Sequence, residues 1–303
     1  MIRYFKRTLK DRKLRKIEGF EPGCWIHADN PTMKEITYLQ KEFGLDRQNL
    51  VSGLDRNELP RAEILGKDIY VILKTIPPHE TKNLYTLLIV ITDRFVLTVS
   101  EKAPESIENI ISGDIEFITT QKLKCLVTLF SLTNKKFERQ TLDIVRAVNS
   151  ERESVEGLTD KHINKLLEQE SILNSFVSSY YYTNTVYEKI VKNVKFFEKD
   201  RAFIEDLMIE AKQGLDLCRS SLRTISNIRN SFVILLSNKL NKVISLLTIF
   251  TIFISIPAAV SGIYGMNVLL PFGSDPSIFL YILAFIVVIW AGFIAYFKKM
   301  KVL

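Results

Sequence analysis

The stretch VISLLTIFTIFISIPAAVSGIYGMN, residues 243–267, decides how the rest of the chain is read. Its apolar part, 243–263, taken as an α-helix rising about 1.5 Å per residue, is long enough to cross a hydrocarbon core of about 30 Å. A second apolar run, 278–297, has the same reach. The connection between them, YGMNVLLPFGSDPS over 264–277, is short, contains Gly and Pro, and carries no Lys or Arg. From 243 to 297 the only formally charged side chain is Asp275. Lys239 and Lys242 stand before the two runs, and Lys298, Lys299 and Lys301 after them. Cationic side chains stay on the cytoplasmic side of a membrane, so this asymmetry predicts a two-helix transmembrane hairpin with an external loop and both ends in the cytoplasm. Tyr264, Tyr281, Trp290 and Tyr296 are the aromatics expected at the interfaces or in helix packing.

The two runs differ in kind. Ile, Leu, Phe and Val dominate 278–297 all round, as for a helix facing lipid over most of its circumference. In the first run, Ile244, Thr248, Thr251, Ser255, Ala258 and Gly262 recur at spacings of three or four, and Ser237 and Asn241 continue the line, so all share one helix face. A face of small and hydroxyl side chains serves close helix packing or lines a wet pathway, and periodicity alone leaves both readings open. Pro257 cannot donate to the carbonyl of Phe253. A local kink or a re-satisfied carbonyl is expected, and neither decides between the readings.

Upstream, residues 160–193 and 198–240 lack proline, and apolar residues such as Phe203, Leu207, Leu217 and Leu222 recur at helical spacings. The second stretch runs into residue 243 without a stop signal. The choice is therefore between one helix of roughly 60 residues, about 90 Å long, and two helices broken near Gly214. A helix of that length buries its apolar seam in a bundle or a symmetric oligomer. Before residue 113 the pattern changes: 24–28, 69–76, 84–91 and 95–99 are apolar or β-branched runs bounded by turn residues such as Pro77, Pro78 and Asp93. A helix over 32–43 interrupts them, with Asn30 and Pro31 ahead of it as its cap, and a helical pattern restarts over 121–149. The expected architecture is an α+β, sandwich-like cytoplasmic domain over 1–115 and a helical hairpin over 116–195. A stalk helix continuing into the first membrane helix then spans 196–263, followed by an external loop over 264–277, a second membrane helix over 278–297 and a basic tail over 298–303.

Composition narrows the function classes. With 303 residues the chain suits one mid-sized soluble region plus a membrane part. Its net charge of +7 reads as positive-inside lysines plus a solvated basic N-terminus rather than a nucleic-acid surface. The three cysteines, Cys24, Cys125 and Cys218, match no zinc or disulfide spacing and read as reduced thiols. The basic N-terminus lacks an apolar core and a cleavage site, so no secretory signal is expected. His27, His79 and His162 form no metal spacing, and neither a P-loop nor a Ser, His and Asp constellation is apparent; the expectation is not an enzyme.

Tyr264-Gly265-Met266-Asn267 ends the first apolar run, after a proline-containing span and a long charged helix. That placement, together with WIHADNPT at 25–32, ELPRAE at 58–63 and the whole of 239–267, resembles the CorA family of divalent-cation channels. The resemblance implies a homopentameric funnel in the cell membrane, with a central pore lined by the first membrane helix. It favours the wet-pathway reading of the polar face. It assigns Tyr264, Gly265, Met266 and Asn267 to the selectivity filter, with Gly265 letting backbones approach and Met266 packing the turn. Asn241, Ile244, Leu247, Thr248, Thr251, Ser255 and Ala258 then line the pore. The implied substrate and regulatory ligand is Mg²⁺, with Co²⁺ and Ni²⁺ as further cargoes and no other cofactor. Counting back from Asn267 without a gap puts the stalk carboxylate of the family's cation-sensing site at Asp206, with Asp68 as the candidate partner across a subunit boundary. The partners expected are further copies of the chain, divalent cations and lipid, and no nucleic acid.

One departure stands out. The family commonly follows Gly-Met-Asn with an acidic Met-Pro-Glu-Leu segment, whereas here only Asp275 supplies a carboxylate to the loop, which puts ion preference and rate in question. The alternatives are the zinc-transporting branch, against which Met266 speaks, and a membrane-anchored scaffold or sensor whose pore does not conduct.

Overall fold

The structure, a computed structural model, describes residues 1–78, 80, 83–153, 159–268 and 277–299. It divides into two compact units, Met1–Ile228 and Arg229–Leu303.

The first unit is built on a seven-stranded mixed sheet in the order β2-β1-β3-β7-β6-β5-β4. The strands are β1 (Ile2–Lys6), β2 (Arg15–Ile17), β3 (Cys24–Asp29), β4 (Arg61–Leu65), β5 (Asp68–Thr75), β6 (Tyr85–Ile91) and β7 (Phe95–Ser100). β3 and β7 run parallel, and the remaining pairs are antiparallel. Every residue of β6 and β7 is buried, which requires cover on both faces. On one face Ile26, Ala28, Ile72, Leu88, Val90 and Leu97 pack with Ile36 and Leu39 of α1 (Met33–Phe43) and Leu50 of α2 (Arg47–Ser52). α4 (Lys122–Glu153) and α5 (Asp160–Asn193) meet the sheet through β4 to β7, and α3 (Glu105–Ser112) packs on α4. The result is the α+β sandwich expected.

Several local expectations need correction. Thr32, not Asn30 with Pro31, caps α1: its hydroxyl accepts from the Glu35 amide while the Glu35 carboxylate accepts from the Thr32 amide. The basic N-terminus is not simply solvated, because residues 2–6 insert as β1 between β2 and β3. Arg3 and Lys6, set among Ile2, Tyr4 and Phe5 in a strand of five residues, hide it from a search for apolar runs.

α6 (Glu198–Tyr264) is one helix of 67 residues and passes through Gly214 without a break. In the first unit its buried positions are Ile204, Leu207, Ala211, Gly214, Cys218, Ser221, Ile225 and Ile228, spaced alternately by three and four. Gly214 is a packing residue: a Cβ there would stand 2.4 Å from the Tyr180 ring of α5. Of the large apolar residues that mark this helix in the sequence, Leu207 lies on the seam, while Phe203 and Leu217 are exposed. The seam carries a glycine where the Tyr180 ring of α5 presses on it.

The second unit holds the rest of α6 and α7 (Ile278–Lys299). α6 ends one residue later than expected, at Tyr264, and the α7 backbone takes in Lys298 and Lys299 rather than leaving them to a tail.

Candidate pore face and the Tyr-Gly-Met-Asn turn

α6 is the one helix among the described residues long and apolar enough to cross a membrane, and only 6% of its most apolar window is buried. Such a helix is not the core of a water-soluble domain. The apolar part of α7, Phe279–Ala295, is shorter.

The apolar end of α6 has two distinct faces. Ser245, Ile249, Ile252, Phe253, Ile256 and Val260 are buried or half-buried, and the Phe253 ring lies 5.5 Å from that of Trp290 on α7. On α7 the half-buried residues Ile282, Ile286, Ile289, Trp290 and Phe293 recur at three or four, forming the matching face. Asn241, Ile244, Leu247, Thr248, Thr251, Ser255, Ala258 and Gly262 are all exposed. At 100° per residue the centre of that polar stripe lies roughly 130° round the helix from the packed face. The hydroxyl residues are therefore not spent on packing against α7.

Their chemistry is set by their own backbone. Thr248 donates to the Ile244 carbonyl at 2.9 Å, Thr251 to Leu247 at 2.9 Å and Ser255 to Thr251 at 2.6 Å. With the hydroxyl hydrogens turned back into the helix, oxygen lone pairs remain on the exposed side as acceptors. Any Ser or Thr inside a helix can bond the carbonyl four positions back, so the sequence marks the hydroxyl stripe and the structure shows that these three are back-bonded.

At the end of the stripe the Gly265 amide donates to the Ser261 carbonyl at 2.9 Å and the Met266 amide to Ile263 at 3.3 Å, closing the helix. A Cβ at Gly265 would stand 3.1 Å from the Ser261 oxygen, so the glycine relieves crowding against its own last turn. Tyr264, Met266 and Asn267 are exposed, and the Asn267 amide has no hydrogen bond among the described residues. Met266 is 55% exposed, so one chain alone gives it little packing. Asp275 and Lys301 lie outside the described residues.

The two acids assigned to cation sensing both belong to the first unit. Asp206 is exposed on α6. Asp68 is half-buried at the start of β5, and burial, followed by the charge of Asp93, raises its pKa above the ordinary carboxylate value. No group of three or more His, Cys, Asp or Glu able to hold a metal occurs among the described residues. No contact among the described residues joins Asp206 to Asp68 within one chain: the charge that acts on Asp68 is that of Asp93. The three cysteines are buried and free; burial pushes the Cys218 thiol up to about 11 and the Cys125 thiol up to about 12.

A family model described as CorA-like Mg²⁺ transporter protein matches residues 21–299. The chain belongs to the CorA family. The cobalt/magnesium transport protein CorA of Methanocaldococcus jannaschii is 26% identical over 292 residues, covering 91% of this chain and 90% of that protein. The complete structure of the CorA magnesium transporter from the same organism superposes with a TM-score of 0.83 at 23% identity, covering 99% of this chain and 98% of that one. The cytoplasmic domain of ZntB from Vibrio parahaemolyticus shares the CorA fold more distantly, with a TM-score of 0.64 at 10% identity over 78% of this chain and 98% of its own.

Proposed function

We infer that copies of this chain assemble as a homopentamer in the cell membrane and let hydrated Mg²⁺ pass down its electrochemical gradient, with Co²⁺ and Ni²⁺ as further cargoes. The carrying observation is the exposed stripe of α6, turned away from α7 and ending at the unengaged Asn267 amide. Mg²⁺ is small and loses its water reluctantly, so a pore for it is best built from groups that accept hydrogen bonds from bound water. The back-bonded hydroxyls of Thr248, Thr251 and Ser255 present such acceptors, and a ring of Asn267 amide oxygens presents more at the outer end. Ile244 and Leu247 form an apolar constriction that closes by dewetting, and Asn241 a polar ring below it. An inside-negative potential contributes about 2.3 kcal/mol per charge for each 100 mV, and about twice that for a divalent ion. The transport needs no chemical step, consistent with membership of a transporter family.

Both termini lie in the cytoplasm in this reading, and α7 is the second span. Asp206 and Asp68 of adjacent copies face each other, repel when bare and are drawn together by Mg²⁺, which couples cytoplasmic Mg²⁺ to closure.

Flux into proteoliposomes tests this. Wild-type protein is expected to admit Mg²⁺, Asn267→Ala to lower entry at least about tenfold, equivalent to about 1.4 kcal/mol, and Asp206→Ala to weaken inhibition by Mg²⁺ on the cytoplasmic side. Absence of flux for Mg²⁺, Co²⁺ and Ni²⁺ at every gradient would identify a non-conducting scaffold, and proton-coupled Zn²⁺ uptake the zinc branch.

A further inference from the structure

Trp290 on α7 buries its indole Nε1, and that N–H makes no hydrogen bond among the described residues. On α6, Pro257 has no N–H to give, so the Phe253 carbonyl loses the donor that an α-helix supplies from four residues further on. The hydroxyls nearby do not replace it, because Thr248, Thr251 and Ser255 donate to Ile244, Leu247 and Thr251. At a water-exposed surface both groups would turn to solvent. In hydrocarbon each unmade bond carries its full desolvation cost.

The donor and the acceptor stand on facing surfaces. Phe253 and Pro257, four residues apart, share one side of α6 and are both half-buried, so the gap in the helix ladder opens on the side that meets α7. The Trp290 ring lies 5.5 Å from that of Phe253. Both residues stand roughly 17 Å from the loop end of their helix at 1.5 Å per residue, as two levels of an antiparallel hairpin do. Helical side chains lean toward the N-terminal end of their own helix. The indole therefore leans along α6 from Phe253 toward Pro257, the direction in which the Phe253 carbonyl points. That depth is near the middle of a core about 30 Å thick, out of reach of water and lipid headgroups.

We propose that in the membrane Trp290 Nε1 donates to the Phe253 carbonyl and that Trp290 is thereby a positioning residue for the pore-lining helix. The bond is open in the single chain and closes by turning the indole about its Cβ–Cγ bond. Pro257 interrupts α6 between Ser255 and Ala258 of the polar stripe. A tie at this point fixes where the outer half of the stripe, and Asn267 beyond it, stand relative to α7. That consequence rests on α6 lining the pore; the bond itself requires only that the hairpin lie in a membrane.

The test is ultraviolet resonance Raman spectroscopy of the full chain in proteoliposomes, where the indole bands report whether the N–H is bonded. Trp25, the other tryptophan, donates to Thr98 at 2.9 Å and serves as the bonded reference. Wild-type protein is expected to show both indoles bonded. Pro257→Ala returns an N–H to the Phe253 carbonyl and is expected to release Trp290. Trp290→Phe is expected to lower Mg²⁺ entry about threefold, the size typical of an interhelical hydrogen bond in a membrane, and to have no such effect in the Pro257→Ala background. An unbonded Trp290 in wild-type protein would overturn the pairing even if neither variant folds. A Trp290 still bonded after Pro257→Ala would overturn it too, assigning the N–H to lipid or water. Strictly additive effects of the two substitutions on flux would remove the positioning role. Should wild-type protein admit no Mg²⁺ while Pro257→Ala still releases the indole, the bond stands and the transport reading falls.

Discussion

The two units of this chain treat apolar side chains in opposite ways. In Met1–Ile228 the large residues close on one another: Trp25, Phe117, Phe130, Phe176 and Tyr187 are all essentially inaccessible. In Arg229–Leu303, Ile249 is the one buried apolar residue among the described ones, while Phe250, Ile254, Phe279 and Val288 are 63–70% exposed. The first unit completes its core from one chain. The second cannot; its apolar surface is stable only in contact with lipid or further copies. The same helix, α6, serves both regimes, with a seam of small residues against its own chain up to Ile228 and an outward-facing stripe beyond.

That contrast can be broken by mutation, and the two tryptophans make it readable. Trp25 reports on the first unit and Trp290 on the second, so a Trp290→Phe background isolates the first. The largest effect is expected from Phe130→Ala, which empties a buried site whose ring lies 4.8 Å from that of Tyr187. It should cost about 3–5 kcal/mol in denaturant unfolding followed at Trp25, and a loss under about 1 kcal/mol would contradict the packing described.

Next comes Gly214→Ala, whose Cβ would stand 2.4 Å from the Tyr180 ring. About 1–3 kcal/mol of destabilisation is expected by the same assay. Combining it with Tyr180→Ala should cost less than the sum of the two single changes, and strict additivity would remove the steric explanation.

A third prediction concerns pH. His27 is fully buried, its Nδ1 2.9 Å from Thr98 Oγ1, and burial, followed by the charges of Arg3 and the N-terminus, lowers its pKa to about 3. Because the folded value lies below the unfolded value of about 6.5, the unfolded chain takes up the proton first, so stability is full above that pH and declines as pH falls toward 3. Between about pH 7.5 and about pH 5.5 this contributes a loss of about 1.4 kcal/mol. Replacing His27 with Gln should flatten the profile in that window, and an unchanged slope would assign the loss to other groups.

The smallest effect is expected from Ile254→Ala. With 70% of the residue exposed in one chain, it should alter unfolding of the first unit by less than about 0.5 kcal/mol. A larger shift at Trp25 would mean that the two units share stability.

Legibility of the sequence followed the range of the information. β3, β5, β6 and β7 announce themselves as apolar runs because both faces of those strands are covered. β1 and β4 do not: their residues alternate or carry charge, and each became a strand by pairing with a neighbour already in the sheet. On α6 the large residues Phe203 and Leu217 drew attention, yet the buried seam runs through Ala211, Gly214 and Cys218. Small residues leave no hydrophobic signal, and what selects them is the bulk of Tyr180 on another helix. At the candidate pore face the phase of the hydroxyl residues was legible, and the side of α6 that meets α7 was not.

The sequence by itself determined a long helical run leading into Tyr-Gly-Met-Asn, its polar stripe, and the apolar span that requires a non-aqueous surrounding, because periodicity and hydropathy are properties of a single segment. Only the tertiary structure decided that Phe253 meets Trp290 while Thr248, Thr251 and Ser255 stay exposed, and that α6 passes unbroken through Gly214, which makes room for a ring. Those outcomes depend on which distant side chain arrives at a given face, and no single segment encodes the shape of its neighbour.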